Sequence, residues 1–139
     1  MPKTRYCVGF AFSAAEDIVL IQKNKPEWQK GLLNGVGGHV EDGESVIDAM
    51  VREFEKETGV VIPASDWELY CHLEYEKAAV SFYRTFSDDP IPVKTITLEK
   101  VLTLPLKNFQ YGRCVENLRW LIPLALDTQY TFKGEINNE

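Results

Sequence analysis

Gly38–Val60 reads GHVEDGESVIDAMVREFEKETGV, and its interpretation decides the architecture of the chain. Val46, Ile47, Met50, Val51 and Phe54 recur at helical spacing with polar residues between them, which predicts a helix over Ser45–Thr58. Ser45, with Asp48 three residues on, resembles a capping arrangement, and Gly59 supplies the stop. Glu53 and Glu57 are four residues apart, so their carboxylates share one helix face. Like charges at that spacing repel unless a hard cation lies between them, and magnesium favours such oxygens. A bare Glu-x-x-x-Glu is also what the solvated side of an ordinary amphipathic helix carries, so the helix alone leaves both readings open.

Outward from the helix, the preceding stretch Asn24–Glu44 holds Gly31, Gly35, Gly37, Gly38 and Gly43, which predicts mostly loop. Its backbone can approach a phosphate closely. Tyr6–Phe12 and Ile18–Ile21 read as adjacent strands joined by a turn at Ser13–Asp17. Val60–Ile62, Trp67–Tyr75, Ala79–Phe86 and Thr95–Leu104 read as further strands, and Ser87–Pro92 breaks the pattern. Cys114–Leu126 has helical spacing, with a kink expected at Pro123. The polar tail Lys133–Glu139 is expected to fray. Strands on both sides of a central helix, then a final helix, predict an α/β sandwich in a single domain spanning residues 1–139.

The segment resembles the Nudix box, G-x5-E-x7-R-E-U-x-E-E-x-G-U with U bulky and apolar. Gly38, Glu44, Arg52, Glu53, Glu57 and Gly59 occupy fixed positions, and Phe54 and Val60 the apolar ones. Lys56 departs, standing where the first glutamate of the E-E pair is expected. The lead-in PEWQKGLLNGVGG is also similar to that of Nudix (MutT-type) proteins. The resemblance implies an α/β/α sandwich with a mixed sheet between helices. It implies a hydrolase that cuts a diphosphate linkage in a nucleoside diphosphate-X or nucleoside triphosphate, using Mg2+, with Mn2+ as a substitute, and a metal-activated water.

The resemblance also distributes roles. Glu53 and Glu57 would be the principal metal ligands, Gly38 would offer a backbone carbonyl, and Glu44 would be an outer partner or a ligand to an additional ion. Its alternative is a favourable negative charge at the helix N-terminus. Arg52 would orient a carboxylate of the site, and Gly37 and Gly59 would be turn and cap residues. A further carboxylate outside the box would come from Glu74, Glu76 or Glu99, with Glu99 preferred. Trp28 either stacks on a base or anchors the loop against the core, Asn34 could meet a base edge, and Asn117 either does the same or faces solvent. His39 could titrate near neutral pH, and Phe109 and Tyr111 either border the pocket or fill the core. Lys56 either turns outward, contacts a substrate phosphate, or marks a catalytically weak nucleotide-binding sensor.

Bulk properties narrow the classes. The 139 residues fit one domain, and the formal net charge of -6 disfavours a duplex nucleic-acid binder. It does not exclude a small nucleotide, because a metal ion can supply positive charge. The same acidity, with no RNA-binding extension, disfavours action on capped RNA. Cys7, Cys71 and Cys114 form no C-x-x-C pair and read as buried free thiols. No apolar stretch has membrane-spanning length, and MPKTRYCVGFAFS lacks a signal-peptide pattern, so the chain reads as soluble and cytoplasmic. The expected partner is a small nucleotide-like substrate, with neither membrane nor duplex nucleic acid, and a homodimer remains compatible with the sequence.

Overall fold

The computed structural model describes residues 2–129 and 131–135. Ten elements follow in chain order: β1 (Thr4–Ser13), β2 (Asp17–Gln22), β3 (Leu33–Asn34), β4 (Val36–His39), α1 (Val46–Thr58), β5 (Glu68–Glu74), β6 (Ala78–Ser87), β7 (Val101–Pro105), α2 (Leu118–Leu126) and β8 (Phe132–Glu135). The strands form one mixed sheet in the order β3-β2-β1-β6-β5-β8, with β4 also paired to β1 and β7 to β2. β1 runs parallel to β6 along its whole length, from Thr4 opposite Ala78 to Ser13 opposite Ser87.

Both faces of the central strands are buried, which explains why they read as continuous apolar runs. Phe10, Phe12, Ile18 and Leu20 point into a core with Phe82, Leu118, Leu121 and Ile122 of the α2 side. Cys7, Ala11, Val19 and Ile21 alternate with them and pack on Met50 and Phe54 of α1. The result is the expected α/β/α sandwich. All three cysteines are free and buried. No described helix is long and apolar enough to cross a membrane.

The capping of α1 matches the sequence reading. Ser45 Oγ accepts from the Asp48 N–H at 3.2 Å, and Gly59 adopts φ +79 while its N–H donates to the Glu55 carbonyl at 2.8 Å.

Several boundaries differ from expectation. The glycine-rich stretch is mostly loop, as expected, but it also holds β3, β4 and a 3-10 turn at Glu27–Gln29. Gly37 is therefore no turn residue. It sits within β4 opposite Val8, where a Cβ would overlap the Cys7 carbonyl oxygen. Val60–Ile62 forms no strand, its half-buried Val60 and Ile62 being spent on packing beneath α1. Thr95–Lys100 is irregular because threonine hydroxyls take backbone donors that a ladder would need. Thr97 Oγ1 accepts from the Glu99 N–H, and Thr95 Oγ1 from the Val101 N–H. The last helix starts at Leu118, not Cys114, since the Val115 N–H donates to the Leu33 carbonyl and holds that segment at the sheet edge. It runs to Leu126 with Pro123 inside it as a single element. Lys133–Glu135 do not fray but pair with β5 in β8, and the rest of the expected tail, 136–139, lies outside the described residues.

Candidate active site

α1 crosses the sheet where β1 changes partner. The first half of β1 pairs with β4 from Tyr6 opposite His39 to Gly9 opposite Val36, and its end pairs with β2. β4 therefore brings Gly38 against α1. A Cβ on Gly38 would stand 2.7 Å from the Glu53 carboxyl carbon, so the missing side chain is what lets that carboxylate lie on the backbone of β4.

Glu53 and Glu57 are buried to 4% and 6% exposure, unusual for carboxylates outside a charge-balanced site. Arg52 organises the first of them. Its Nη1 donates to Glu53 Oε2 at 2.8 Å, and its Nη2 donates to the His39 carbonyl at 3.0 Å. Its Nε and Nη2 grip Glu44 in two-pronged fashion at 2.8 and 3.0 Å. The Arg52 pairing, with the Glu41 N–H, holds the Glu44 carboxyl down at about 2. A lowered carboxylate pKa keeps this clamp intact above the usual carboxylate range, and it is lost only as pH falls toward that value. Glu44 in turn raises the Arg52 pKa further above its ordinary value. Glu57 accepts from Thr97 Oγ1 at 2.7 Å, and Lys56 Nζ lies 3.5 Å from Glu53 Oε1.

A cleft of about 1070 Å³ opens beside these groups. Gly38, Arg52, Glu53, Lys56, Glu57 and Glu99 border it, as do Trp28, Asn34, His39 and Asn117. Trp28 is 67% exposed on the 3-10 turn, free of the core packing that would have made it a loop anchor. Asn34 already uses its amide, donating to Gln29 and accepting from the Gly35 N–H. Asn117 precedes α2 without a side-chain cap bond. His39 packs edge-on against Tyr6 with centroids 4.6 Å apart.

Other residues fall elsewhere. Glu44 does not border the cleft, and both its oxygens are taken by Arg52 and the Glu41 N–H, which makes it the anchor of Arg52. Of the three outside carboxylates, Glu99 and Glu76 reach the cleft. Glu74 is bound to His72 and Lys3 away from it. Glu99 is held from both sides, by Lys23 Nζ at 3.3 Å and the Asn24 N–H at 2.8 Å. Phe109 and Tyr111 stack edge-on and fill the α2-side core without bordering the cleft. Sequence reasoning missed Thr97 and Lys23, whose partners lie 40 and 76 residues away, so no local pattern points to them.

Glu53, Glu57 and the glycine backbone beneath them form an oxygen-rich donor set suited to a hard divalent cation, and the Gly38 cradle, which a Cβ would fill, fits that use. Among the described residues no three His, Cys, Asp or Glu side chains gather as a larger metal cluster.

A mixed-sheet sandwich that buries the carboxylates of Glu53 and Glu57 beside a glycine backbone defines the class of scaffold, and comparison with known proteins gives its family. Residues 3–131 match the NUDIX domain, and the chain belongs to that family. Among solved structures, a NUDIX hydrolase from Nitrosomonas europaea superposes with TM-score 0.79 at 14% identity, over 99% of this chain and 81% of that one. A MutT protein from Bacillus halodurans gives 0.77 at 17% identity, over 96% and 89%. The NUDIX domain of Shewanella oneidensis NrtR, complexed with ADP ribose, gives 0.73 at 17% identity, over 93% and 90%. At these identities the likeness is one of fold. A search of curated protein sequences gave no significant match.

Proposed function

We propose that this chain, as one domain, is a cytoplasmic divalent-metal-dependent hydrolase that cleaves a diphosphate linkage in a nucleoside diphosphate-X or nucleoside triphosphate. The observation that carries the reading is the pair of buried carboxylates, Glu53 and Glu57, beside the Arg52 clamp and the Gly38 backbone in an open cleft. Glu53, Glu57 and a Gly38 carbonyl would hold Mg2+ or Mn2+. Such an ion, when bound, acidifies a water and offsets charge on phosphate oxygens. Arg52 fixes the Glu53 carboxylate through contacts to β4 and Glu44, so the ligand does not reorganise during turnover. Glu99, held in place by Lys23 and the Asn24 N–H, serves as the base that takes a proton from the attacking water. Trp28 offers an exposed ring for stacking on a base, and Asn117 an amide at the cleft wall.

A second reading, a catalytically weak nucleotide-binding protein, is favoured by one observation, the Lys56 ammonium beside Glu53. A substrate panel with Mg2+ and with Mn2+ separates the two. It holds canonical and oxidised nucleoside triphosphates, nucleotide sugars, ADP-ribose, dinucleoside polyphosphates and capped RNA. Turnover of a small nucleotide that stops in excess chelator supports the hydrolase. Tight nucleotide binding without turnover anywhere in the panel overturns it in favour of the second reading.

Single substitutions rank the outside carboxylates. Glu99→Gln is expected to lower kcat by roughly a hundredfold, the low end for a lost general base. Glu76→Gln should cost less, and Glu74→Gln, whose carboxylate is bound to Lys3 and His72 and does not line the cleft, least. If Glu99→Gln is the mildest of the three, the base has been misassigned.

A further inference from the structure

Lys56 follows Glu53 by three residues on α1, next to Glu57, and its side chain borders the cleft. Its Nζ faces Glu53 Oε1 at 3.5 Å while Arg52 holds Oε2 at 2.8 Å. Both oxygens of this buried carboxylate therefore meet a cation that the chain itself supplies. Glu44 and Glu99 are matched in the same way, by Arg52 and Lys23. Glu57 meets the neutral Thr97 hydroxyl. Three carboxylates at and beside the cleft are thus met by cations of the chain itself, which lowers the charge offered to several divalent ions, and no group of three or more His, Cys, Asp or Glu gathers as a metal cluster among the described residues. The Lys56 side chain is 56% exposed and its pairing is long, so its end can move. An ammonium has three donors and can serve Glu53 and a phosphate oxygen together.

We infer that Lys56 is a tethered cation of the diphosphate site: it does the work of a second divalent ion, limits the site to one such ion, and binds a phosphate oxygen of the substrate directly. The inference rests on the diphosphate reading of the cleft. A second divalent ion near Glu53 would be repelled by the tethered ammonium at close range. The tethered charge needs no recruitment from solution, so part of the phosphate affinity persists without any metal.

Two readouts independent of turnover test it. The first is Mn2+ stoichiometry on the free protein, by calorimetry and by the spin-resonance signal of unbound ion. The native chain is expected to take one ion, and Lys56→Glu two. The second is binding of inorganic pyrophosphate in excess chelator, where Lys56→Gln is expected to weaken affinity roughly tenfold, the scale of one charged hydrogen bond. Lys56→Arg should retain most of the affinity, and Lys107→Gln, at an exposed lysine remote from the cleft, should change nothing. Two or more ions on the native chain, or pyrophosphate affinity unchanged in Lys56→Gln, overturns the inference. If nothing in the substrate panel is hydrolysed while one ion and Lys56-dependent pyrophosphate binding are found, the hydrolase reading fails and the role of Lys56 stands.

Discussion

Glu53→Gln is expected to leave the fold intact and to lower turnover by at least about a hundredfold, the scale on which loss of one well-placed charged group acts at a reacting centre. Glutamine matches the shape of glutamate, so the packing against Gly38 survives, and its amide oxygen can still accept from Arg52 Nη1. What disappears is the anionic charge that a divalent ion requires. The Arg52–Glu44 pairing does not involve the substituted carboxylate and continues to hold β4 to α1 through the His39 carbonyl. Steady-state kinetics with saturating Mg2+, beside a thermal melt of the same sample, separates chemistry from folding. An unchanged kcat, or full activity of the native chain in excess chelator, removes the metal-based mechanism.

Gly37→Ala should show the opposite profile, a large loss of stability that carries activity down with it. Gly37 lies in β4 opposite Val8, and an added Cβ would overlap the Cys7 carbonyl oxygen and stand 2.8 Å from Val8 Cα. Those are backbone atoms of β1, which is itself fixed along its length to β6, so neither strand can yield cheaply. Overpacking of this kind costs about 2–3 kcal/mol, or roughly 10 °C in Tm for a domain of this size. The β1–β4 pairing also sets Gly38 against Glu53, so the surviving folded fraction should bind Mn2+ more weakly. A melt within a degree or two of the native chain would show that β4 is less tightly seated than its register implies.

Local signals made the core of the site legible. Helical periodicity with Ser45 and Gly59 at its ends delimits α1, and a four-residue spacing puts Glu53 and Glu57 on one face. Both are short-range consequences of backbone geometry, so the sequence carries them directly. Glycine richness marked Asn24–Glu44 as mostly loop but hid the short strands β3 and β4 within it. The same absence of a Cβ that permits a loop also permits two strands and a helix to crowd together, and composition does not distinguish the cases. Thr95–Lys100 misled in the other direction, because β-branched residues there spend their hydroxyls on neighbouring backbone donors.

The sequence by itself thus determined the sandwich class, the α1 helix with its caps, the carboxylate pair, and the one departure from the family pattern at Lys56. Tertiary structure alone decided which groups those carboxylates face. It placed Thr97 on Glu57 and Lys23 on Glu99, separated Glu74 from the cleft, and turned Trp28 outward. The physical reason is range. Periodicity and capping act within a few residues along the chain. The partners of a buried charge are chosen by a sheet that joins β1 to β4 and β6 and β2 to β7, across separations that no local pattern records.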